Sequence, residues 1–415
     1  MRFRARISAI AILLSLAVAC AAPCSRADEK PKVRAITAFV RIDREKFTAQ
    51  IGEALSFLRK AKAALERAGY EVQTIRITPQ PFAVLARGMT REDLLAFYRE
   101  YAALAQKEGF ATAIGPVMMR DDEDPAQAAL FAEILAAHPN LDGSIRVADE
   151  DGVHWNAVRA AARAMKYLEE NTPHSQGNFG FAAAAMVPAY TPFYPASFHV
   201  GGGQQFSVAL QGASVVDEAF ASAHGDMAAA RKALATRMNA HATAIEKLCK
   251  EIEKQTGWNY MGMDLSTAPL KDVSIGAAIE KLIGAPFGSD GTLTAAALIT
   301  GVLREVPVQQ AGYSGMMMPI LEDARLAQRW SEGRLSVDQM LAYSSVCGAG
   351  LDTIPLPGDV SEEQLAHIVG DMATLAVKLK KPLTARLMPV KGKKAGERTE
   401  FEDPFIVNAT IQRLP

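Results

Sequence analysis

The run Ser345–Asp359, SVCGAGLDTIPLPGD, gathers a thiol, three glycines, two carboxylates and two prolines. Gly348 and Gly350 permit close backbone approach or positive φ angles, and Pro355 and Pro357 fix φ and stiffen the exit. Such a segment reads as a rigid loop on which backbone N–H groups, Asp352 and Asp359 surround a small polar group or ion. The plainer alternative is a tight strand-to-helix connection in which Asp359 precedes the cap of a helix at Ser361. Cys347 is the candidate nucleophile or acid–base group. A free thiol near pKa 8.5 is only about a few per cent thiolate at neutral pH, so this role needs a partner. His199, His367 and the arginines are the candidates.

A second constellation is Asp264 in YMGMDLSTAP. It stands at the C-terminal end of a predicted strand, where α/β sheets and barrels place ligand residues; a cap for the next turn is the competing role. A third is His199 in FHVGGGQQF, a base or metal ligand beside glycines that lack the GxGxxG context of a nucleotide loop. The acidic cluster Asp121–Asp124 precedes a helix and suits its N-terminal dipole better than a metal. Without a Walker loop, HExxH, GxSxG or paired CxxC, the chain falls outside the common NTPase, zincin, esterase and zinc-ribbon classes.

The elements that must position these residues alternate along the chain. Val33–Ile42, Tyr70–Ile77, Ala111–Val117 and Gly143–Ala148 read as strands, with helices between them marked by apolar residues at helical spacing. Thr90 with Asp93, and Ser361 with Gln364, form capping-box patterns. Gly177 onward is strand-like and Gly-rich. Ser214–Gln255 is a long helical run broken near His224-Gly225, which makes a helical layer outside the core. Trp258–Ser266, Leu383–Met388 and Phe405–Thr410 read as further strands, and the basic loop Lys391–Arg398 as a solvated hairpin. The fold class expected is α/β, with roughly eight to ten strands in an open sheet or a barrel, surrounded by helices.

At 415 residues and 49% hydrophobic content, the chain buries a large core. Residues 1–27 stand apart: Arg2, Arg4 and Arg6 precede an apolar run from Ile7 to Ala22, and Ser25-Arg26-Ala27 supplies small residues at a cleavage site. This is the pattern of a secretory signal peptide, followed by one domain over residues 28–415. Cleavage removes four arginines and no acid, leaving the mature chain more acidic than the −1 of the whole. Nucleic acid is therefore not an expected partner. The expected location is periplasmic or secreted, with no stable membrane insertion after cleavage. Lipidation at Cys20 is disfavoured because Ala17 replaces the larger aliphatic expected three residues earlier. Cys249 and Cys347 remain, too few for a disulfide scaffold.

Together GMDLSTAP, GSDGT, GYSGMMMPILED, YSSVCGAGLDTIPLPGD and KPLTARLMPVKGKKAGE resemble domain-of-unknown-function family 711 over essentially the whole mature chain. The resemblance implies an α/β barrel of roughly ten strands, similar to the pyruvate formate-lyase-like fold, with an added helical subdomain. It implies no particular reaction. Glycyl radical enzymes of that superfamily carry a catalytic cysteine on a loop inside the barrel, for which Cys347 is the counterpart. They also carry a glycine motif near the C-terminus; here no glycine follows Gly396, which departs from radical chemistry. The function expected is an exported enzyme of hydrolase, lyase or isomerase type, acting on a small polar or carboxylate-bearing molecule. Its catalytic residues would be Cys347, Asp264 and His199, with Gly348, Gly350, Asp352, Asp359 and Arg386 binding the ligand. A divalent cation on Asp264, Asp352, Asp359 and Glu322 is the other open mechanism. The alternative function is a periplasmic ligand-binding protein without turnover. A homo-oligomer is compatible with either.

Overall fold

A computed structural model describes residues 30–414; the expected signal peptide, with Cys20 and Cys24, lies outside the described residues. In chain order the strands are β1 (Lys32–Val40), β2 (Val72–Pro79), β3 (Ala111–Ala113), β4 (Leu141–Asp149), β5 (Gly152–Val153), β6 (Phe181–Ala185), β7 (Gln205–Gln211), β8 (Asn259–Asp264), β9 (Gly350–Pro357) and β10 (Leu383–Val390). They form one ten-stranded sheet in the order β8-β7-β1-β2-β3-β4-β6-β10-β9, with β5 hairpinned onto β4. β1, β2, β3, β4 and β6 run parallel. The flanking pairs β7–β8 and β9–β10 are each internally parallel and run opposite to that block. Helices surround the sheet, in keeping with the βα alternation in the chain.

The ladder is open between β8 and β9, and residues 309–320 lie in that seam. Met263 N–H donates to Gln309 O at 2.8 Å and Ala311 N–H to Met263 O at 3.0 Å on one side. Ile320 N–H donates to Asp352 O at 3.0 Å on the other. The GYSGMMMP run thus fills the space between the edge strands without becoming a strand, which makes the sheet barrel-like.

The strand β9 corrects the expectation of a loop after Cys347: Gly350–Pro357 is a fully buried strand paired with β10. Pro355 and Pro357 are tolerated because β9 ends the sheet, so their missing N–H groups leave no ladder bond unmade. Gly350 enters at φ +95°, and a Cβ there would stand 2.4 Å from Thr384 O. Phe405–Thr410, expected as a strand, is irregular, with a single bridge from Thr410 to Arg398.

The apolar residues divide in two. The larger core lies between sheet and helices, built from side chains such as Ile36, Leu58, Phe131 and Leu365. A smaller cluster, including Ala35, Phe193, Tyr313, Met317 and Ala349, lies inside the curved sheet. Both predicted capping boxes form: Asp93 N–H donates to Thr90 Oγ1 at 3.2 Å and Gln364 N–H to Ser361 Oγ at 3.1 Å, each contributing about 1 kcal/mol. The long helical run breaks where expected, at His224 and Gly225, both with positive φ. Its two halves, Ala213–Ala223 and Met227–Thr256, pack with Ile275–Ile283 and Thr292–Arg304 as the helical portion.

Candidate functional site

Three arginines and three carboxylates converge on a cavity of about 190 Å³ inside the sheet. Arg34 and Asp142 come from the first halves of β1 and β4, and Arg76 from the middle of β2; Asp352 and Arg386 come from β9 and β10. Glu322 comes from the chain just after the seam, ahead of the helix Ala324–Ser331, whose cap is Asp323. The site therefore opens at the N-terminal ends of the parallel block and not at the C-terminal ends, where such sheets ordinarily bind.

The segment between β6 and β7 explains this inversion by occupying the lumen. Thr37 Oγ1 donates to Pro192 O at 3.1 Å, and Tyr194 O–H donates to Ile77 O at 2.9 Å. Ser197 Oγ lies 2.9 Å from Thr78 Oγ1. Phe193 and Tyr194 thereby form the inner end of the cavity. Phe405, 38% exposed, lies at its mouth.

The charges are not equivalent. Arg386 donates from Nε to Asp352 Oδ1 at 2.5 Å, from Nη2 to Glu322 Oε1, and from Nη1 to Phe179 O at 3.3 Å. Burial works against its charge, but Asp352 and Glu322 raise its pKa well above the ordinary value. Arg34 shares Glu322 at 3.7 Å and donates to Gln73 Oε1 at 3.3 Å. Arg76 has no carboxylate within ion-pair distance among the described residues. Its Nε donates to Thr74 Oγ1 at 3.1 Å and its Nη1 to Pro192 O at 3.2 Å, while Nη2 has no partner among the described residues. Burial, and next Arg34, lower its pKa to about 10, so it stays a cation at neutral pH. Each arginine lies against an aromatic ring: Arg34 at 5.4 Å from Phe405, Arg76 at 4.5 Å from Tyr194 and Arg386 at 5.2 Å from Phe179. Cation–π contact of this kind favours a guanidinium at each position.

Asp142 faces the same cavity, in space left by Gly180, where a Cβ would stand 2.9 Å from its Oδ1. Burial pushes its carboxyl up to about 7, against the pull of Arg76 and Arg386 and with further push from Asp403 and Glu322. A carboxyl raised in this direction suits acid–base work. Asp352 is also raised, by burial against Arg386.

Of the residues expected from the sequence, the structure brings together Asp352, Arg386 and Glu322. It places the others elsewhere. Asp264 is fully buried at the end of β8. Its carboxylate accepts from Tyr313 N–H at 2.7 Å, Ser314 N–H at 3.0 Å, Ser266 N–H at 3.0 Å and Ser266 O–H at 2.6 Å. It fastens the seam to β8 and so positions Tyr313 at the cavity wall. His199 is buried by the far end of β1, with Nε2 3.1 Å from Val40 O. Burial lowers its pKa.

Cys347 lies in the main core, where its Sγ accepts from Gly350 N–H at 3.5 Å. Lys381, not a histidine, is its charged neighbour, and Nζ donates to the carbonyls of Cys347 and, at 2.9 Å, Ser344. His367 is exposed on the helix Glu362–Leu379. Gly348 makes the close approach its type allowed: a Cβ would stand 2.7 Å from Gly315 Cα. The pair holds the Cys347 turn against the seam, and Ala349, the next residue, reaches the cavity.

The proposed cation ligands do not share a centre: Asp264 is taken by the seam, Asp359 is exposed beyond β9, and Arg386 bridges the other two. No group of three or more His, Cys, Asp or Glu residues able to hold a metal occurs among the described residues. The acidic cluster caps helices: Asp121 Oδ1 accepts from Asn156 N–H at 2.7 Å and Asp124 Oδ1 from Ala126 N–H at 2.9 Å. Arg34, Arg76 and Asp142 were not picked out from sequence. Their signal was a charged residue inside VRAIT, TIRIT and LDGSIRV, strands otherwise fit for burial, where an unpaired charge is costly.

Comparison with known proteins places the chain in a family. The UPF0210 protein of Syntrophobacter fumaroxidans is 31% identical over 360 residues, covering 81% of this chain and 78% of that protein. The UPF0210 protein of Pyrobaculum aerophilum is 30% identical over 368 residues, covering 82% and 79%. Among solved structures, the anaerobic ribonucleotide reductase of Thermotoga maritima, in complex with dATP and CTP, aligns over 91% of this chain and 79% of that one, at 9% identity and a TM-score of 0.42. The family described as Uncharacterised ACR (DUF711) matches residues 27–402, and the chain belongs to it.

Proposed function

We propose that the protein is an enzyme acting on a small carboxylate, with Arg76 as the anchoring cation and Asp142 as the group that gives or takes a proton. The observation that carries this reading is the state of Arg76: buried, stacked on Tyr194, lining a cavity, and without a carboxylate partner among the described residues. A buried cation is normally paired, because leaving water costs several kcal/mol. A carboxylate meeting the guanidinium fork is the complementary group. Asp142 lines the same wall, so a proton on the carbon or oxygen next to that carboxylate comes within its reach. Isomerisation and elimination are the reaction classes this favours over thiol-dependent hydrolysis.

The test is a ¹H NMR screen of small carboxylic acids in D₂O with wild-type protein and Asp142→Asn. Solvent exchange or product formation that disappears in the variant is the expected result. Ligands that bind through Arg76 but never exchange or turn over would favour the ligand-binding protein instead. Export belongs to the same reading, on the Arg-flanked apolar leader; mature protein beginning at Asp28 in a periplasmic fraction is its check.

A further inference from the structure

We infer that the ligand of this cavity is a monocarboxylate with an apolar body, and not a dicarboxylate, a phosphate or a polyhydroxylated acid. The inference rests on the anion-binding role of Arg76 and narrows the class of molecule. Three observations carry it.

The first is charge. Of the three cavity arginines, Arg386 is held by two carboxylates and Arg34 shares Glu322. One cation remains for a ligand. A second negative charge would lie near Glu322 and Asp352 in a site of low dielectric, where like charges repel strongly.

The second is hydrogen bonding. Three hydroxyls of the wall donate to the protein itself: Thr74 to Arg34 O at 2.7 Å, Thr384 to Ala349 O at 2.9 Å and Tyr194 to Ile77 O at 2.9 Å. These hydroxyls have no proton left for a polyol, whose oxygens away from the arginines would lack donors, at about 1–3 kcal/mol each.

The third is shape and surface. Away from the charges the wall is Phe193, Ala268, Met317, Pro319 and Ala349, all buried apolar or small residues. A cavity of about 150 Å³ accommodates benzene. The 190 Å³ here therefore takes a body of roughly that size with a carboxylate attached.

The experiment is isothermal titration calorimetry of the full mature chain at pH 6 with benzoate, gluconate, succinate and inorganic phosphate. It is run on the wild type, on Arg76→Gln and on Ala268→Leu, which narrows the apolar wall without touching a charge. Benzoate is expected to bind at least tenfold more tightly than the other three and to lose at least tenfold in each variant. Gluconate, succinate or phosphate matching benzoate, with the same dependence on Arg76, overturns the ligand class and leaves the anion site standing. If no probe binds, or if binding is indifferent to Arg76→Gln, the inference and the proposed function fall together. Benzoate affinity unchanged in Ala268→Leu overturns the apolar wall as the seat of the ligand body.

Discussion

The guanidinium carbon of Arg76 lies 4.5 Å from the centre of the Tyr194 ring, so the one cavity cation without a carboxylate partner rests over a ring of the segment that plugs the lumen. Pro192 O, two residues before Tyr194, accepts from Arg76 Nη1 at 3.2 Å. The strand β2 supplies the arginine, and the lumen segment contacts it through Tyr194 and Pro192 O before any ligand arrives. Lysine would keep the charge but lose both the flat face and the fork. Arg76→Lys is therefore expected to weaken benzoate binding by about tenfold or more, equivalent to about 1.4 kcal/mol. Full affinity in Arg76→Lys by calorimetry would mean that a point charge is enough.

Asp142 makes stability depend on pH in a direction that can be worked out. Its folded pKa of about 7 lies above the value of about 3.9 in an unfolded chain. Between those limits the native state holds a proton that the unfolded state has released. Stability attributable to Asp142 is then full below about pH 4, falls as pH rises towards 7, and stays low above it. Asn imitates the protonated acid. The melting temperature of Asp142→Asn should match wild type near pH 4 and exceed it by a margin that grows to a plateau above pH 7. A constant difference across this range would rule out the raised pKa.

Asp264 predicts a loss of stability. Removing its carboxylate leaves the N–H groups of Tyr313, Ser314 and Ser266 buried and unmatched, each costing about 1–3 kcal/mol. Urea unfolding of Asp264→Ala should show a loss of about 3 kcal/mol or more. Gly312→Ala should do similar damage by another route, since its φ is +66° and a Cβ would stand 2.1 Å from Asp264 Oδ2. A fully stable Asp264→Ala would remove the seam fastener.

Cys347 is fully buried, and a thiol reacts as an exposed thiolate. Native protein should leave it unlabelled by iodoacetamide over a period in which urea-unfolded protein is fully modified. Cys347→Ser should bind benzoate as wild type does. Rapid labelling in the native state, or loss of binding in the serine variant, would return the thiol to the site.

What was legible in the chain, and what was not, follows from the range of the signals. Helix caps at Thr90 and Ser361, and the break at His224-Gly225, depend on residues a few positions apart and were read correctly. Strand β9 was not, because Pro355 and Pro357 are compatible with a strand only at a sheet edge, a property of topology. The seam likewise depends on residues far apart in sequence, and without it Asp264 looks like a ligand residue. The strand pattern could not show which face of β1, β2 and β4 turns inward. Arg34, Arg76 and Asp142 were therefore passed over, although each is a charge inside an apolar run. The glycines of the Cys347 turn pointed correctly to close backbone approach, but what they approach is Gly315 and Thr384.

Arg386 between Asp352 and Glu322 gives the sharpest energetic contrast. Arg386→Met would leave two buried carboxylates facing each other, with Arg34 alone to offset Glu322 at 3.7 Å. Breaking a buried pair in this way costs about 3–5 kcal/mol, whereas removing all its charges together costs far less. The single variant should therefore be less stable in urea at pH 7 than the triple variant Arg386→Met, Asp352→Asn, Glu322→Gln. Burial already raises the Asp352 carboxyl, and without Arg386 the cation that holds its proton off is gone. The stability of Arg386→Met should therefore recover as pH falls from 7 towards 5, while that of the triple variant changes less. If the single variant is as stable as wild type at pH 7, the three residues are not a mutually dependent charge set, and Arg386 rather than Arg76 becomes available to an anion.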